Sequence, residues 1–554
     1  MNPWLQPLPV LPVLLPMMTA AAMLLTRDGQ RPVRMALAAV SLALQGVVAL
    51  LLLAATLEWL PTGWPDGIGV YMLGSWPAPF GIVLVVDRLS ALMLGLTALL
   101  GTCTWIYATA RWDSVGTHFH PLFQLILMGL NGAFLSGDLF NLFVFFEILL
   151  TASYGLMLHG SGKQRVSAAL HYIGVNLIAS FLLLIAIALI YGLTGTLNLA
   201  DLSLRAQTLY GADRQLFDSA AAILGVAFLI KAAAWPLNFW LPSTYAQACA
   251  PVGALFAIMT KVGIYALLRI GSLLLPAGAP AAFGGAWMFP AGIATLAFGT
   301  LGMLASIDAR RITAYAVITS SGTLFAALGM PGATLTGPAL YYLLSSVAAL
   351  AALFLLLELI ERSQPFGADV LAITQEAFET EEADAASLSE QVVGEPLPAT
   401  LSFLGLSFFT CALIIVGLPP LSGFVAKFSL LSAALRTAEY GAPTLNVWLL
   451  VAAMLVSGVA CLMALGRSGV RLFWVPEALQ IPRLRIREIT PILILLSACA
   501  LLTVRAGPTL DYLDGTAHYL NEPGRYVEAV LGQNSPRLGT TPGPGPAHAR
   551  GTQP

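Results

Sequence analysis

Apolar stretches of membrane-spanning length follow one another along almost the whole chain. A helix needs about 20 predominantly apolar residues to cross the hydrocarbon core of a bilayer. The sequence meets that criterion fourteen times, near 7–25, 35–57, 82–108, 119–137, 139–159, 168–192, 219–245, 251–275, 283–305, 311–330, 337–360, 401–433, 446–466 and 490–506. Of the 554 residues, 58% are hydrophobic and 10% are charged, whereas soluble domains carry about 25% charge. This pattern excludes a soluble fold with a single anchor and predicts an all-α polytopic membrane protein.

Two spans are irregular. The seventh contains Pro236 and Pro242, with Pro251 just beyond, and the twelfth contains Pro419, Pro420 and then Gly423. Proline removes a helix donor and clashes with the preceding turn, so both spans are expected to break. Broken spans expose backbone groups that can face a cavity, as at the ion sites of transporters.

Charges inside the apolar stretches are the candidate functional groups. Lys231, Lys261 and Lys427, three of the four lysines, sit within them, as does Glu147. An ionised group at mid-bilayer costs about 2.5 to 3.5 kcal/mol on insertion scales and persists where a partner or water receives it. Glu147 lies nine residues beyond Asp138, which is roughly 13 Å along a helix and too deep for its short side chain to reach the interface. Burial disfavours the charged form of an ammonium, so a buried lysine exchanges protons nearer neutral pH than an exposed one. The four groups are expected to form a proton relay. The bland alternative is a set of salt bridges that pin helices. His171, near one end of span six, is a possible extension towards water. Asp138 reads as a helix N-terminal charge, and the adjacent Asp87 and Arg88 read as interfacial. Thr313, Thr319, Ser320, Ser321, Ser345 and Ser346 are expected to support water chains or simply to pack helices.

Arginine placement orients the chain. Arg27, Arg31, Arg34, Arg111, Lys163, Arg165, Arg310, Arg311, Arg362, Arg467, Arg471, Arg483, Arg485 and Arg487 all fall in odd-numbered loops of the fourteen-span scheme, whereas Arg205, Arg214 and Arg436 fall in even-numbered ones. Both termini are therefore expected outside the cytoplasm. The segment 362–400 carries eight carboxylates, from Asp369 to Glu395, and Arg362 as its one base. It reads as a cytoplasmic spacer, a partner site or a cation-gathering mouth. The Gly/Pro/Thr-rich tail 535–554 reads as disordered.

Other classes are disfavoured. The net charge of −2 offers no basic surface for nucleic acid. Cys103, Cys249, Cys411, Cys461 and Cys499 are scattered, without a CxxC, and read as small buried hydrophobes rather than cluster or disulfide ligands. The GSGK of 160–163 lacks the rest of a P-loop. No cofactor is expected, and a metal site is left open. The amino terminus lacks the basic region of a cleavable signal and reads as retained.

Four segments, GDLFNLFVFFEILLTASYGLML, FLIKAAAWPLNFWLP, APVGALFAIMTKVGIYALLR and GLPPLSGFVAKFSLL, resemble the antiporter-like subunits shared by Mrp-type cation/proton antiporters and respiratory complex I. The similarity runs to about residue 534. The wording GDLFNLFVFFE, the RLFW of 471–474 and the ending AGPTLDYLDGTAHYLNEPGRYVEAVLG resemble the D-type subunit of the Mrp-type or Pha-type antiporter. The acidic insertion resembles the proteobacterial potassium/proton version. The resemblance implies fourteen helices with two inverted five-helix repeats. Helices 1–3 would occupy 1–118, the repeats 119–275 and 276–466, and helix 14 with an outer segment 467–534. By motif match, Glu147, Lys231, Lys261 and Lys427 fall on the family's charged positions in spans five, seven, eight and twelve. Many relatives place a His or Lys in span eleven. Here YYLLSSVAALAALFLLLE has no histidine, lysine or carboxylate before Glu358, so the link from Lys261 to Lys427 is expected to rest on water and hydroxyls.

The leading reading is a proton-translocating subunit of a multi-subunit Na+/H+ or K+/H+ antiporter in the bacterial plasma membrane. Its implied partners are the other antiporter subunits, the lipid bilayer, protons and monovalent cations. A redox-driven pumping subunit of complex I or of a membrane-bound hydrogenase is the nearest rival, and a structural scaffold the more distant one. The topology has a direct check. A single cysteine placed within 376–390, in a cysteine-free background, should react with an impermeant thiol reagent only in inverted vesicles. Labelling in intact cells would overturn the orientation.

Overall fold

The computed structural model describes residues 7–27, 30–116, 118–160, 162–274, 287–330, 335–362, 399–436, 444–473 and 484–532. All eight carboxylates of the acidic insertion and the tail after Ser535 lie outside the described residues.

The structure is a helical bundle. Among the described residues, ten helices are long and apolar enough to cross a membrane, and two shorter apolar helices run over Leu8–Leu24 and Phe119–Leu135. In chain order the helices that place the candidate site are α3 (Arg88–Ala108), α4 (Phe119–Leu135), α5 (Leu139–Met157) and α6 (Lys163–Thr194). They continue as α7 (Leu199–Ala206), α8 (Gly211–Lys231), α9 (Leu241–Gln247), α10 (Ala250–Leu274), α11 (Met288–Ala305), α12 (Ala309–Leu328) and α13 (Thr336–Glu361). After the insertion come α14 (Ala399–Val416), α15 (Ser422–Arg436), α16 (Leu445–Phe473), α17 (Ile486–Val504), α18 (Ala506–Leu520) and α19 (Pro523–Leu531). The chain begins with α1 (Leu11–Leu24) and α2 (Arg31–Thr56).

Helices that are apolar all round belong in the centre. Every residue of α13 from Gly337 to Ile360 is buried, and α10 is buried over almost its whole length. The two helices pack against each other, with α12, α14, α15, α17 and α18 around α13. The outer helices keep apolar residues exposed: Val40, Val47 and Leu50 on α2, Phe181 and Ile185 on α6, and Val456, Val459 and Met463 on α16. A bilayer would cover such a belt, because the helices satisfy their own backbone groups internally. Helices α11 and α12 approach until their backbones touch. A Cβ on Gly292 would lie 2.2 Å from the Ala326 nitrogen, the close contact that small residues permit between membrane helices.

Both proline-rich spans are broken. Span seven is α8, an irregular stretch over 232–240 in which Ala233 takes a φ of +56°, and then α9. Span twelve is α14, the segment 417–421, and α15. Span three is shorter than the apolar pattern suggests. Val83–Val86 form a fully buried strand paired antiparallel with Gly69–Met72, in register Gly69↔Val86, and the helix starts only at Arg88. A short buried apolar run does not itself distinguish strand from helix. Here Asp87 decides the boundary, because its carboxylate accepts the Ser90 N–H and caps α3.

Asp87 is more than interfacial. It pairs with Arg269 of α10 at 2.6 Å, with both side chains largely buried. The Arg269 guanidinium also lies 5.4 Å from the Tyr526 ring, and Arg88 lies 4.3 Å from the Tyr519 ring. The two C-terminal helices α18 and α19 are thereby clamped over one end of the bundle. Removing one partner of a buried pair strands the other charge, at a cost of about 3–5 kcal/mol. Arg269→Met should therefore lower the thermal unfolding midpoint of the purified assembly, whereas Asp218→Asn, in the solvent-exposed pair with Arg214, should barely move it.

Candidate functional site

The first part of the site lies between α5, α6 and α8. Asp138 is the N-cap of α5, its carboxylate accepting the Phe140 and Asn141 N–H groups at 2.8 and 3.0 Å. This fixes the register that carries Glu147 into the bundle. Glu147 is half-buried, and its Oε1 is buried with no hydrogen-bond partner among the described residues. Lys231 ends α8 and is buried. Its Nζ donates to Ser180 Oγ at 3.2 Å and stands 4.9 Å from the ring centroid of Phe146, the neighbour of Glu147. Among the described residues no ion-pair contact within 4 Å joins Glu147 and Lys231.

A cavity beside Lys231 is lined by Phe146, Tyr172, Asn176, Trp240, Tyr245 and Met259, among others. Met259 belongs to α10, two residues from Lys261, so the cavity reaches from the first broken span to the central helix. Tyr172, Asn176 and Ser180 recur every four residues and so share one face of α6. The Tyr172 hydroxyl shares a 2.7 Å hydrogen bond with Ser153 Oγ of α5.

Lys261 is fully buried, and its Nζ donates to Ser321 Oγ of α12 at 3.1 Å. The preceding residue on α12, Ser320, donates to Ser346 Oγ of α13 at 3.0 Å. Ser345, beside Ser346, shares a 2.8 Å hydrogen bond with Ser422 at the start of α15. That helix carries Lys427, whose Nζ donates to the carbonyls of Val416 at 2.6 Å and Ile415 at 3.2 Å. Hydroxyl groups thus occupy the interval between Lys261 and Lys427, the place where the sequence has no histidine, lysine or carboxylate. The bend at 417–421 depends on glycine at two points. Gly417 takes a φ of +87°, and a Cβ on Gly423 would lie 1.7 Å from the Ile414 oxygen.

His171 is not brought to this line. It faces outward on α6, and its Nδ1 lies 2.9 Å from the Ser167 carbonyl of its own helix. Its neighbour Tyr172 takes the inward face, and consecutive helix positions are about 100° apart. Thr313 turns its hydroxyl to the Ala309 carbonyl and only packs. Glu358 accepts the Trp112 indole N–H at 2.9 Å and pairs with Arg362, which also reaches Glu488 at 2.6 Å, so it belongs to a closed end network. Ser180, Tyr172, Asn176, Tyr245 and Ser422 were missed by sequence reasoning. The four-residue spacing on α6 was the available signal for three of them. No group of three or more His, Cys, Asp or Glu side chains suited to a metal occurs among the described residues.

This fold and site define a polytopic helical membrane protein with a series of buried and half-buried lysines and hydroxyls. The sequence matches the family described as NADH:quinone oxidoreductase/Mrp antiporter, TM, over residues 136–451, a stretch that includes all four charged positions, and the chain belongs to that family. It is 48% identical over 549 residues, 98% of this chain and 100% of the relative, to a Rhizobium meliloti protein named as the D-type subunit of a probable K(+)/H(+) antiporter. It is 33% identical over 472 residues, 84% of this chain and 89% of the relative, to the D-type subunit of the Na(+)/H(+) antiporter of Alkalihalophilus pseudofirmus. A chain in the structure of the Mrp complex from Dietzia sp. superposes with a TM-score of 0.76 at 28% identity, covering 96% of this chain and 100% of that one. A chain of Thermus thermophilus respiratory complex I shares the fold, with a TM-score of 0.69 at 22% identity over 93% of this chain and 99% of that one.

The lysine environments support a test of whether the charge or the exchangeable proton matters. Guanidinium stays protonated in proteins, with a pKa above about 12. Lys231→Arg, Lys261→Arg and Lys427→Arg should each lose cation/proton exchange in complexes that still assemble on native gels. Full activity in all three would leave the lysines as fixed counter-charges.

Proposed function

We propose that this chain is a proton-translocating subunit of a multi-subunit Na+/H+ or K+/H+ antiporter in a bacterial plasma membrane, with other antiporter subunits completing the path. The observation that carries the reading is the sequence of groups from half-buried Glu147 through buried Lys231 and Lys261 to half-buried Lys427, interleaved with Ser180, Ser321, Ser320, Ser346, Ser345 and Ser422. The antiporter names of the relatives support this reading over a redox-driven pump, which would use the same line with different neighbours.

The chemistry is proton exchange at fixed positions. Each lysine alternates between ammonium and amine, and hydroxyls with intervening water pass the proton between them. The alternation couples electrostatically, because like charges repel and a partly desolvated bundle screens that repulsion less than water does. A proton arriving at Lys261 therefore favours release at the next site. Glu147 and Lys231 stand apart without an ion pair, and closing that gap would hold the first proton. In this reading the odd-numbered loops and the acidic insertion face the cytoplasm, and the two five-helix units of 119–275 and 276–466 form the two halves of the path.

Glu147→Gln tests the reading. The amide keeps the shape but cannot titrate. Cation-dependent proton movement in inverted vesicles carrying the complex should fall to background, with protein levels unchanged. Wild-type exchange at equal expression would remove Glu147 from the cycle and with it the first half of the relay.

A further inference from the structure

The break in span twelve differs from the break in span seven in what it does with the carbonyls it releases. At the end of α8, the chain folds back on itself. The Ala232, Ala234 and Ala233 N–H groups bond the carbonyls of Phe228, Leu229 and Ile230, and the Lys231 ammonium turns away to Ser180. At the end of α14, the residues four positions beyond Ile415 and Val416 are Pro419 and Pro420. Neither has an N–H to return. The Gly417 and Leu418 N–H groups both go to Leu413. The Ile415 and Val416 carbonyls thus end a half-helix without backbone donors. Their partner among the described residues is the Lys427 ammonium, at 3.2 and 2.6 Å.

Ile415 and Lys427 line a cavity with space for about one water-sized occupant, and the Val416 carbonyl joins it through the Lys427 ammonium. Hydroxyls of Thr319, Ser320, Thr323, Ser345, Ser346 and Ser457 line it from α12, α13 and α16. No carboxylate lines it. Apart from Lys427, its titratable side chains are Tyr342 on α13 and Cys461 on α16. Neutral oxygens around a half-helix C-terminus, where the helix dipole places partial negative charge, stabilise one unit of positive charge and no more. Carbonyls and hydroxyls of this kind replace the hydration shell of an alkali cation.

We propose that this cavity is a monovalent-cation site of which the Lys427 ammonium is the built-in occupant. The site rests on the antiporter reading and deepens it. When Lys427 gives up one proton to the hydroxyl line, its amine leaves the carbonyls and one Na+ or K+ takes the vacated position. When the proton returns, the ammonium displaces the cation. One positive charge occupies the site at every stage, so a proton is exchanged for a cation one for one.

The test is equilibrium binding of 86Rb+ and 22Na+ to the purified complex over a pH series, with proton release followed in the same samples. In the wild type, binding should be weak in acidic buffer and strengthen by about tenfold per pH unit while the amine remains mostly charged, with one proton released per cation bound. Lys427→Met removes the occupant and leaves the oxygens. It should bind one more cation per complex than wild type in acidic buffer, independently of pH. Lys427→Arg keeps a permanent cation in place and should bind none there at any pH. The site is overturned if the Met and Arg variants bind equally. If neither variant assembles, the wild type decides, and cation addition without proton release overturns the site. Transport separates this from the relay. Lost exchange in Lys427→Met with no extra binding sinks the cation site and leaves the relay standing. Exchange retained in Lys427→Met overturns both, whereas exchange retained in Lys261→Met with wild-type proton-coupled binding sinks the relay and leaves the cation site.

Discussion

An ammonium inside a helical bundle must be solvated by whatever oxygen the bundle can supply. The rest of the architecture follows from how this chain meets that demand. Lys231, Lys261 and Lys427 are met by hydroxyl and carbonyl oxygens, not by carboxylates. Full ion pairs stand elsewhere, at the helix ends. Asp87 holds Arg269 where α3 begins, Glu361 holds Arg310 where α13 ends, and Glu488 holds Arg362 where α17 begins. The division has a physical logic. A close pair of opposite charges is a static joint, since separating it strands two ions. A neutral oxygen solvates an ammonium without fixing it, so the group is free to lose its proton.

The two most deeply buried helices, α10 and α13, carry this arrangement between them. Lys261 lies midway along α10, and the Ser345–Ser346 pair lies in the first half of α13. Neighbouring serines on α12 point to different partners, one to Lys261 and the other to α13. The adjoining α11 packs on α12 at backbone contact, which leaves little freedom for α12 to rotate and disturb those bonds. In the proposed relay the moving parts are then protons, waters and the ends of lysine side chains, on a backbone scaffold that keeps its geometry.

Much of this was legible in the sequence, for identifiable reasons. Each of the fourteen predicted segments overlaps a helix or a broken helix pair, because hydropathy over twenty residues is a strong signal. The two breaks were readable from Pro236 and from Pro419–Pro420. The lysines stood out because an ionisable group in an apolar stretch has few explanations. Hydroxyls were harder. Serine is a common packing residue in membrane helices, so Ser180 and Ser422 looked like their neighbours. His171 shows the opposite case: its chemistry is conspicuous in the sequence, but chemistry does not say which way a side chain faces. The strand at Val83–Val86 and the short helices α7, α18 and α19 were not read, the strand because it continues an apolar run, the helices because their polar faces lower the hydropathy below any spanning threshold.

Arg362 is the last described residue before the acidic segment that interrupts the chain between α13 and α14. It is tied to Glu358 on its own helix and to Glu488 on α17, while Trp112, just after α3, bonds the same Glu358. The knot works as a strain relief, like the collar where a cable enters a housing. A pull on the chain beyond Arg362 is shared among three helices at the rim before it reaches Ser345 and Ser346, about four helical turns below. The insertion can therefore change in length or acquire a binding partner while the hydroxyls near Lys427 keep their spacing, and variation in this chain has room to accumulate there.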